Sequence, residues 1–212
     1  MMDMKRVPTH MMSSRRQHNR DLMIQTILDT ARAIMRTEGV AALSMQELAR
    51  RLDLRAPSLY NYFSGKMAIY DALFRLGFTL FGATMAATIA GATTWSEELQ
   101  GTFEAYMSFA QENPELYQLC FERPVPGFVP SAESLEVSFG QLHAGYARVG
   151  RWHASIHTDL STEQTTDLVI AMMHGLTALH LSNEPNLPVG QGRFGALIQP
   201  MLSVLEKAWS QP

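Results

Sequence analysis

The chain has 212 residues, of which 46% are hydrophobic and 17% are charged, with a formal net charge of -3 at pH 7. This length allows one large or two small domains with a hydrophobic core, and the single cysteine, Cys120, excludes an intramolecular disulfide. Residues 1–70 carry eleven Lys and Arg against six Asp and Glu, whereas residues 71–212 carry six against fourteen, so only the first part is expected to meet a polyanion.

The N-terminal residues 1–19 hold several Lys, Arg and His and no long apolar run. They predict a flexible basic arm, and they lack the apolar core of a secretory signal. Asn19 or Asp21 is expected to cap the first helix, whose apolar residues recur at helical spacing until Gly39. Arg20, at the start of that helix, is a candidate contact for DNA phosphates.

Residues 44–66 predict two short helices joined by a three-residue turn. Ser44 and Glu47 have the spacing of a capping box at the start of the first helix. Pro57 falls in the first turn of the second helix, where its missing N–H costs nothing, and this helix is predicted to end at Phe63. Two helices joined in this way form either a helix-turn-helix, whose second helix enters the DNA major groove, or an ordinary helical hairpin of a bundle.

The same stretch resembles the DNA-binding domain of the tetracycline-repressor family of bacterial regulators. The shared pattern is a helix, a Gly, an apolar spacer, a capped helix ending LARRL, and a short helix ending SLYNYF with a Lys shortly after. The matching positions are Gly39, Ser44, Leu48, Ala49, Leu54, Ser58, Leu59, Tyr60, Tyr62, Phe63 and Lys66. Two positions depart from the family pattern: Asp53 replaces the usual Gly of the turn, and Arg55 replaces a Ser or Thr cap.

The resemblance implies a DNA-binding domain at residues 20–66 and a helical effector-binding and dimerisation domain at residues 67–212. It also implies which side chains meet double-stranded DNA. Those expected to face bases are Arg55, Ala56, Pro57 and Asn61. Those expected to hold phosphates, together with Arg20, are Ser44, Ser58, Tyr60, Tyr62 and Lys66.

Helical patterns continue through residues 67–212, and strand signals are scarce. Ser64 is expected to cap a long helix that runs toward residue 90, and its uncharged part favours a soluble core helix over a membrane span because several Thr and Gly dilute it. Later helix starts are predicted at Thr94, Pro114, Ser131, Ser161 and Phe194, with capping boxes at Thr94 and Ser161. The last helix is expected to kink at Pro200. The sequence therefore predicts an all-α protein with about nine helices.

The helix after Ser161 carries small residues every three or four positions, which permits close approach of another helix. Its segment MMHGLTALH resembles the penultimate helix in a subset of the family's C-terminal domains. In the family the last two long helices form a four-helix bundle with a second subunit, so a homodimer with an isologous interface is predicted. The expected interface residues are Ala171, Gly175, Ala178, Ser182, Leu197, Met201 and Leu205.

The effector site is predicted from composition rather than from a motif. Fourteen Met and ten Phe provide adaptable walls for a large apolar or aromatic ligand, although the same residues could simply form a packed core. The candidate pocket residues are Phe81, Met85, Phe103, Met107, Phe121, Phe139, His143, Met173 and His174.

No enzymatic signature is present, since the sequence has no Walker or Rossmann glycine pattern, no HExxH and no CxxC. His153 and His157 could share a metal on a helix face, but no carboxylate clusters with them, and neither a metal nor a cofactor is expected. The sequence thus predicts a cytoplasmic homodimeric regulator, a repressor released from a palindromic operator by a small apolar or aromatic ligand. The alternative is a small-molecule-binding protein or enzyme in which the helix-turn-helix is only structural.

Overall fold

The structure is a computed structural model that describes residues 9–210. Within that range the chain is helical and has no β-strand, which confirms the predicted all-α class. The nine predicted helices are present, and the last of them is divided in two. In chain order they are α1 (Thr9–Glu38), α2 (Met45–Arg51), α3 (Ala56–Leu59), α4 (Lys66–Ile89), α5 (Trp95–Glu112), α6 (Pro114–Tyr117), α7 (Ala132–Trp152), α8 (Thr162–Asn183), α9 (Gly192–Gly195) and α10 (Ile198–Ser210). A π-helical segment (Gln118–Glu122) continues α6.

Helix α1 begins well before its predicted start. It includes residues 9–19 of the predicted arm, and residues 1–8 lie outside the described part of the chain. Gln17 donates a 2.8 Å hydrogen bond to the carboxylate of Asp21 one turn later, so Asp21 supports a continuous helix instead of capping a new one. Residues 9–19 contain no Gly or Pro and several good helix formers, which explains why the helix extends through them.

Helix α4 is the central helix of the larger domain and packs against α5 and α7. Its buried residues are Ile69, Tyr70, Leu73, Phe74, Gly77, Phe78, Phe81 and Met85. Gly77 permits a close approach to the π-helical segment, because a Cβ at this position would lie 2.5 Å from the Cys120 Sγ. By length and composition α4 could cross a membrane, but here its apolar stripe is buried against neighbouring helices, as in a core helix.

A buried carboxylate joins α1 to the larger domain. The Glu115 side chain is fully buried, and it accepts hydrogen bonds of 2.8 Å from Arg32 Nε and 2.9 Å from Arg36 Nε. Arg32 also donates to the side chain of Asn113 at 2.8 Å. We call these four residues the Glu115 cluster. Because the two arginines belong to α1 and Glu115 belongs to α6, the cluster connects the DNA-binding region predicted from the sequence to the rest of the fold.

Two of the predicted capping boxes are complete. Thr94 with Glu97 opens α5, and Ser161 with Gln164 opens α8; in each pair both reciprocal hydrogen bonds are present. Ser64 does not cap α4 as predicted. The N-cap of α4 is Gly65, which offers no side-chain acceptor, so the first amides of this long helix are left without a side-chain cap.

The last predicted helix is interrupted before Pro200 rather than kinked at it. Helix α9 ends and α10 begins three residues later, so Pro200 stands in the first turn of α10. A proline ring inside a continuous helix clashes with the carbonyl four residues earlier, whereas a proline in the first turn meets no such carbonyl. The break therefore removes the strain that the predicted kink would have kept.

Helix α10 packs on α5 and brings the three tryptophans of the chain together. The ring centroid of Trp209 lies 5.6 Å from that of Trp95 and 6.1 Å from that of Trp152. The Trp95 and Trp152 centroids are 6.0 Å apart. This aromatic cluster fixes the C-terminal helix against the ends of α5 and α7.

Removal of the buried carboxylate is expected to destabilise the fold strongly. Glu115→Ala leaves the partly buried Arg32 without its ion partner, and loss of one member of a buried pair typically costs about 3 kcal/mol. The measurement is the free energy of unfolding from urea denaturation at fixed protein concentration. Glu112→Ala is the matched control, because Glu112 is exposed and only its backbone carbonyl bonds Arg36. Equal stability of the two variants would contradict a structural role for the Glu115 cluster.

Candidate functional site

Helix α2 starts with only half of its predicted capping box. The Ser44 hydroxyl accepts the Glu47 N–H at 3.2 Å. The Glu47 carboxylate does not bond back to Ser44, because it accepts hydrogen bonds from Arg50 and Arg51 instead. These two guanidinium groups lower the pKa of Glu47 to about 2. Arg50 and Arg51 thus share the Glu47 carboxylate, and Arg51 also pairs with Glu38 of α1. Ser44 remains exposed at the start of α2.

The turn between α2 and α3 depends on Asp53. Its backbone adopts a left-handed conformation with φ of 54°, which Asp tolerates better than most residues. The Leu54 N–H then bonds the Ala49 carbonyl at 2.9 Å and closes the turn. Arg55 is the N-cap of α3 and makes no side-chain capping bond, so its guanidinium takes no part in starting that helix.

Regular helix in α3 ends at Leu59, four residues before the predicted end at Phe63. The Asn61 and Tyr62 N–H groups bond carbonyls three residues earlier, so the segment tightens into turns. Phe63 still keeps one helical bond, from its N–H to the Leu59 carbonyl at 3.0 Å. The element is therefore a single helical turn followed by a compact extension.

One side of the α3 region is buried and the other faces solvent. Leu59 is fully buried, and Ala56 packs partly against the core. The exposed residues of the segment are Arg55, Pro57, Tyr60 and Asn61; Ser58 and Tyr62 are half-buried. Most of the side chains predicted to face bases are thus available on the surface, and Ala56 is the one that is partly covered.

Arg20 is exposed and contacts the end of the α3 region. Its Nη1 donates a 2.9 Å hydrogen bond to the Asn61 carbonyl, and its guanidinium carbon lies 5.3 Å from the centroid of the Tyr62 ring. These contacts are worth roughly 1 kcal/mol each at exposed sites. Arg20 therefore holds the end of the α3 region against α1, and its guanidinium is occupied by the protein in this arrangement.

Lys66 is exposed and is the first residue of α4, directly after the α3 region. A cation in the first turn of a helix is unfavourable for the helix itself, and a nearby anion removes that cost. Lys66 is accordingly placed where a bound phosphate would relieve an existing electrostatic conflict.

A cavity of about 440 Å³ lies between α4, α5, α7, α8 and the π-helical segment. Six predicted pocket residues line it: Phe81, Met85, Phe121, Phe139, Met173 and His174. Phe139 is 52% exposed and stands where the cavity meets the surface. Its volume falls within the range of drug-sized ligand sites, and most of its walls are apolar.

Three predicted pocket residues do not line the cavity. Phe103 and Met107 are buried in the core on another side of α5, and His143 is exposed on α7. The cavity face of α5 carries Thr102 and Tyr106 instead, each one residue earlier. One residue is a rotation of about 100° around a helix, so an assignment from apolar spacing alone selected the core-facing neighbours.

Polar residues that the sequence analysis missed also line the cavity. They are Glu98, Thr102, Tyr106, Ser138, Gln141, Arg148 and Thr166. Arg148 directly precedes Val149, which belongs to the apolar stripe of α7. This position beside the stripe was the sign in the sequence that Arg148 could line the cavity. An apolar wall with a few convergent polar groups is the usual composition of a small-molecule site.

His174 forms a buried polar group with two tyrosines. Its Nδ1 lies 2.9 Å from the Tyr106 Oη and 3.3 Å from the Tyr117 Oη. Burial raises the pKa of Tyr106 and raises that of Tyr117 to about 12, so both phenols are neutral at physiological pH. The group extends from the cavity wall to α6, which also carries Glu115.

Helices α8 and α10 leave an apolar face on the surface. Of the residues predicted for a dimer interface, Ala171, Ser182 and Leu197 are exposed, and Gly175, Ala178 and Met201 are half-buried. Leu205 is only 6% exposed because it packs in the core of its own chain, so its prediction as an interface residue is wrong for this arrangement. Val204, next to it, is 64% exposed and takes its place on the surface, with Leu168 and Leu179 beside the small residues of α8.

Within the described residues, no group of three or more His, Cys, Asp and Glu is placed to hold a metal. His153 Nε2 lies 3.0 Å from the Leu160 carbonyl, a contact that orders the loop before α8.

Comparison with known proteins follows the same division of the chain. The family described as "Bacterial regulatory proteins, tetR family" matches residues 27–73, and the one described as "Tetracyclin repressor-like, C-terminal domain" matches residues 99–201. An uncharacterized HTH-type transcriptional regulator of Haemophilus influenzae is 30% identical over 195 residues, which are 92% of this chain and 97% of the relative. Another, from Bacillus subtilis, is 36% identical over 92 residues; this match spans 43% of this chain and about half, 48%, of the relative.

Solved structures share the fold. A TetR family transcriptional regulator from Thermus thermophilus has a TM-score of 0.64 at 18% identity, covering 86% of this chain and 97% of that one. A protein of unknown function from Rhodococcus has a TM-score of 0.75 at 19% identity, covering 89% and 95%. With a relative matched over nearly its whole length and both domains recognised, the chain belongs to the TetR family of bacterial transcriptional regulators.

Proposed function

We propose that this TetR-family regulator is a cytoplasmic repressor that binds a palindromic operator as a homodimer and leaves it when a small apolar or aromatic molecule occupies the cavity. The observation that carries the proposal is the arrangement of the α3 region, whose apolar side is buried while its polar side faces solvent at the basic end of the chain. Membership of a family of regulators also argues against an enzyme in which the helix-turn-helix is only structural.

The exposed side of α3 would enter the major groove. Arg55 and Asn61 have side chains suited to guanine and adenine edges, and Pro57 and Ala56 offer apolar contact to thymine methyl groups. Lys66 and the exposed Ser44 and Tyr60 would hold phosphates, with Ser58 and Tyr62 closer to the protein surface. Arg20 would act by positioning Asn61 and Tyr62 rather than by touching DNA, which revises its role as predicted from the sequence.

Dimerisation would set the spacing of the two α3 regions. The exposed face of α8 and α10 has the apolar and small residues that an isologous contact between two copies requires. Two half-sites of a palindromic operator lie about 34 Å apart, or somewhat more, so a dimer must hold its recognition segments at that distance. A small rotation of each DNA-binding domain would then break the match.

Occupancy of the cavity would reach the DNA-binding domain by two routes. Helix α4 contributes Phe81 and Met85 to the cavity and begins at Lys66 beside the α3 region. Helix α6 is connected to the cavity through Tyr117 and His174, and to α1 through Glu115. A ligand can change operator affinity only by the ratio of its affinities for the DNA-bound and the released arrangements of the protein. The size of the response is therefore limited by how differently the ligand contacts the cavity in those two arrangements.

Substitution of Lys66 and Asn61 separates backbone contacts from base contacts. Lys66→Ala is expected to weaken binding to all duplexes alike and to reduce the salt slope of log K by about one, because one phosphate contact is lost. Asn61→Ala is expected to change base preference at one position of each half-site, with a loss of about 1–3 kcal/mol on the preferred sequence. Fluorescence anisotropy on selected duplexes at several salt concentrations measures both.

The two substitutions also control for each other. Asn61→Ala keeps the backbone carbonyl that Arg20 binds, and Lys66→Ala removes a cation that disfavours the first turn of α4, so neither variant is expected to lose folded structure. Lost specificity with unchanged affinity in Lys66→Ala, or an unchanged sequence preference in Asn61→Ala, would reject the assigned roles.

Charges on the exposed face of α8 and α10 are expected to dissociate the dimer. The double substitution Leu179→Glu with Val204→Glu places four carboxylates in an apolar contact between two copies, where unpaired charges are strongly disfavoured. Sedimentation velocity at micromolar concentration should then give one chain instead of two. Val129→Glu, at an 80% exposed residue of the loop before α7, is the control and should remain dimeric. A dimeric double variant would place the interface elsewhere.

A further inference from the structure

The cavity has a cationic end, formed by Arg148. Arg148 lines the cavity with a side chain only 14% exposed, and its Nε lies 3.6 Å from the Glu98 Oε1, beyond hydrogen-bond distance. The same Glu98 oxygen accepts a 3.0 Å hydrogen bond from Arg151. Among the described residues, none accepts a hydrogen bond from the Arg148 guanidinium. The Arg148 nitrogens are not among the fully buried unpaired atoms, so they stay accessible from the cavity, where a ligand carboxylate could form charge-assisted hydrogen bonds with them.

The hold of Glu98 on Arg148 is weak because the carboxylate is shared with a second arginine. Arg151, which is largely exposed and outside the cavity lining, donates the 3.0 Å hydrogen bond, and Arg148 keeps only the 3.6 Å ion-pair contact. Burial lowers the pKa of Arg148, yet a guanidinium stays protonated in proteins. The fork of Arg148 is therefore a preformed partner for a planar, two-oxygen anion.

The opposite end of the cavity is aromatic. Phe78, Phe121 and Tyr106 line it beside His174, whose Nδ1 already bonds Tyr106. Glu98 and Tyr106 both line the cavity and lie eight residues apart on α5, which at 1.5 Å per residue is about 12 Å along that helix. Met85, Leu99 and Val169 line the wall with apolar side chains. The cavity thus has one charged end, an apolar wall and an aromatic end.

We propose that the effector is an elongated apolar carboxylate, whose anionic group binds the Arg148 guanidinium while its body lies along the cavity toward Phe121 and His174. This inference rests on the proposed effector site and names the chemical class of its ligand. Glu98 opposes the anion, so the ligand competes with an internal carboxylate for Arg148. Affinity is then set by both residues, in opposite directions.

Competition between two matched compounds tests the assignment. The neutral fluorescent probe N-phenyl-1-naphthylamine is expected to occupy the cavity. Decanoate and decan-1-ol are the competitors, which share a chain length and differ in the head group. On the wild-type protein decanoate is expected to displace the probe at about tenfold lower concentration than decan-1-ol, since hydrogen bonds to charged groups are worth that much or more. Arg148→Gln should bring the two competitors within about twofold of each other, each measured against the affinity of the probe for that variant.

Three further variants separate the Arg148 contact from general effects. Glu98→Gln should raise decanoate affinity several-fold, because it removes a carboxylate charge 3.6 Å from the Arg148 Nε that opposes a bound anion. Arg75→Gln removes the same charge from an ion pair with Glu133 outside the cavity lining and should keep the wild-type preference. Gly145→Leu should weaken the probe and both competitors together, since a Cβ there would meet only Thr166, at 3.8 Å, and the longer side chain would fill the cavity.

Several results would overturn the inference. The first is displacement of the probe at equal concentrations of the two competitors on the wild type. The second is an equal loss of affinity for decanoate and decan-1-ol in Arg148→Gln. The third is the same loss of the decanoate preference in Arg75→Gln. If the probe does not bind, calorimetric titration with decanoate replaces it, and the absence of saturable binding rejects the proposal. If Arg148→Gln does not fold, two other variants test the inference. Glu98→Gln should increase decanoate affinity, and Arg148→Lys should keep the preference for decanoate over decan-1-ol; failure of both would reject the inference.

These titrations contain no DNA, so they are independent of the proposed repressor mechanism. If decanoate binds through Arg148 but leaves an operator complex intact, the proposal of ligand-controlled release is wrong and the proposed ligand class stands. Release of the operator by neutral compounds alone, without preference for the carboxylate, would keep the repressor mechanism and reject the ligand class.

Discussion

The buried carboxylate of Glu115 is the constraint on which the relation between the two domains depends. A carboxylate with no exposed surface must be paired, and its partners here are two arginines on α1. Because those arginines lie on the helix that also holds the α3 region through Arg20, the orientation of the DNA-binding domain is tied to the position of α6. The pairing also fixes Tyr117, two residues further along, and through it one wall of the cavity. Any shift of α6 must therefore either break the ion pairs or move α1 with it.

The second connection between the domains is the continuous helix α4 rather than an ion pair. Helix α4 spans from Lys66 to the cavity as one continuous element, and the Tyr70 hydroxyl donates a 2.6 Å hydrogen bond to the Val40 carbonyl near its start. The close approach of Gly77 to Cys120 then presses α4 against the π-helical segment that carries Phe121. The two connections thus meet at the aromatic end of the cavity, where a displaced side chain contacts both helices. A movement of the DNA-binding domain that displaces α6 should therefore displace α4 as well, and the reverse.

Local features of the structure could be predicted from the sequence, whereas contacts between residues far apart in the chain could not. The capping boxes at Thr94 and Ser161 follow from residue types at fixed spacing, whereas the same spacing at Ser44 gives half a box because Glu47 pairs with Arg50 and Arg51. The left-handed Asp53 stands where the family resemblance places a Gly. Glu115 gives no such signal, because nothing in its neighbourhood distinguishes it from the exposed Glu112; its partners are some eighty residues away. Rotation around a helix was the other limit. Apolar spacing could not separate Tyr106 from Met107, or the exposed Val204 from the buried Leu205, since both members of each pair are compatible with a broad apolar stripe.

The contact among Trp95, Trp152 and Trp209 has an optical consequence. All three indoles of the chain lie at the junction of α5, α7 and α10, and Trp152 also lines the cavity beside Arg148. The DNA-binding domain contains no tryptophan. Tryptophan fluorescence of the unmodified protein therefore reports on this one small region and not on the recognition segment, whose aromatic residues are Tyr60, Tyr62 and Phe63. A carboxylate head group at Arg148, the end of the last helix and the ends of α5 and α7 would all change the environment of the same three indoles.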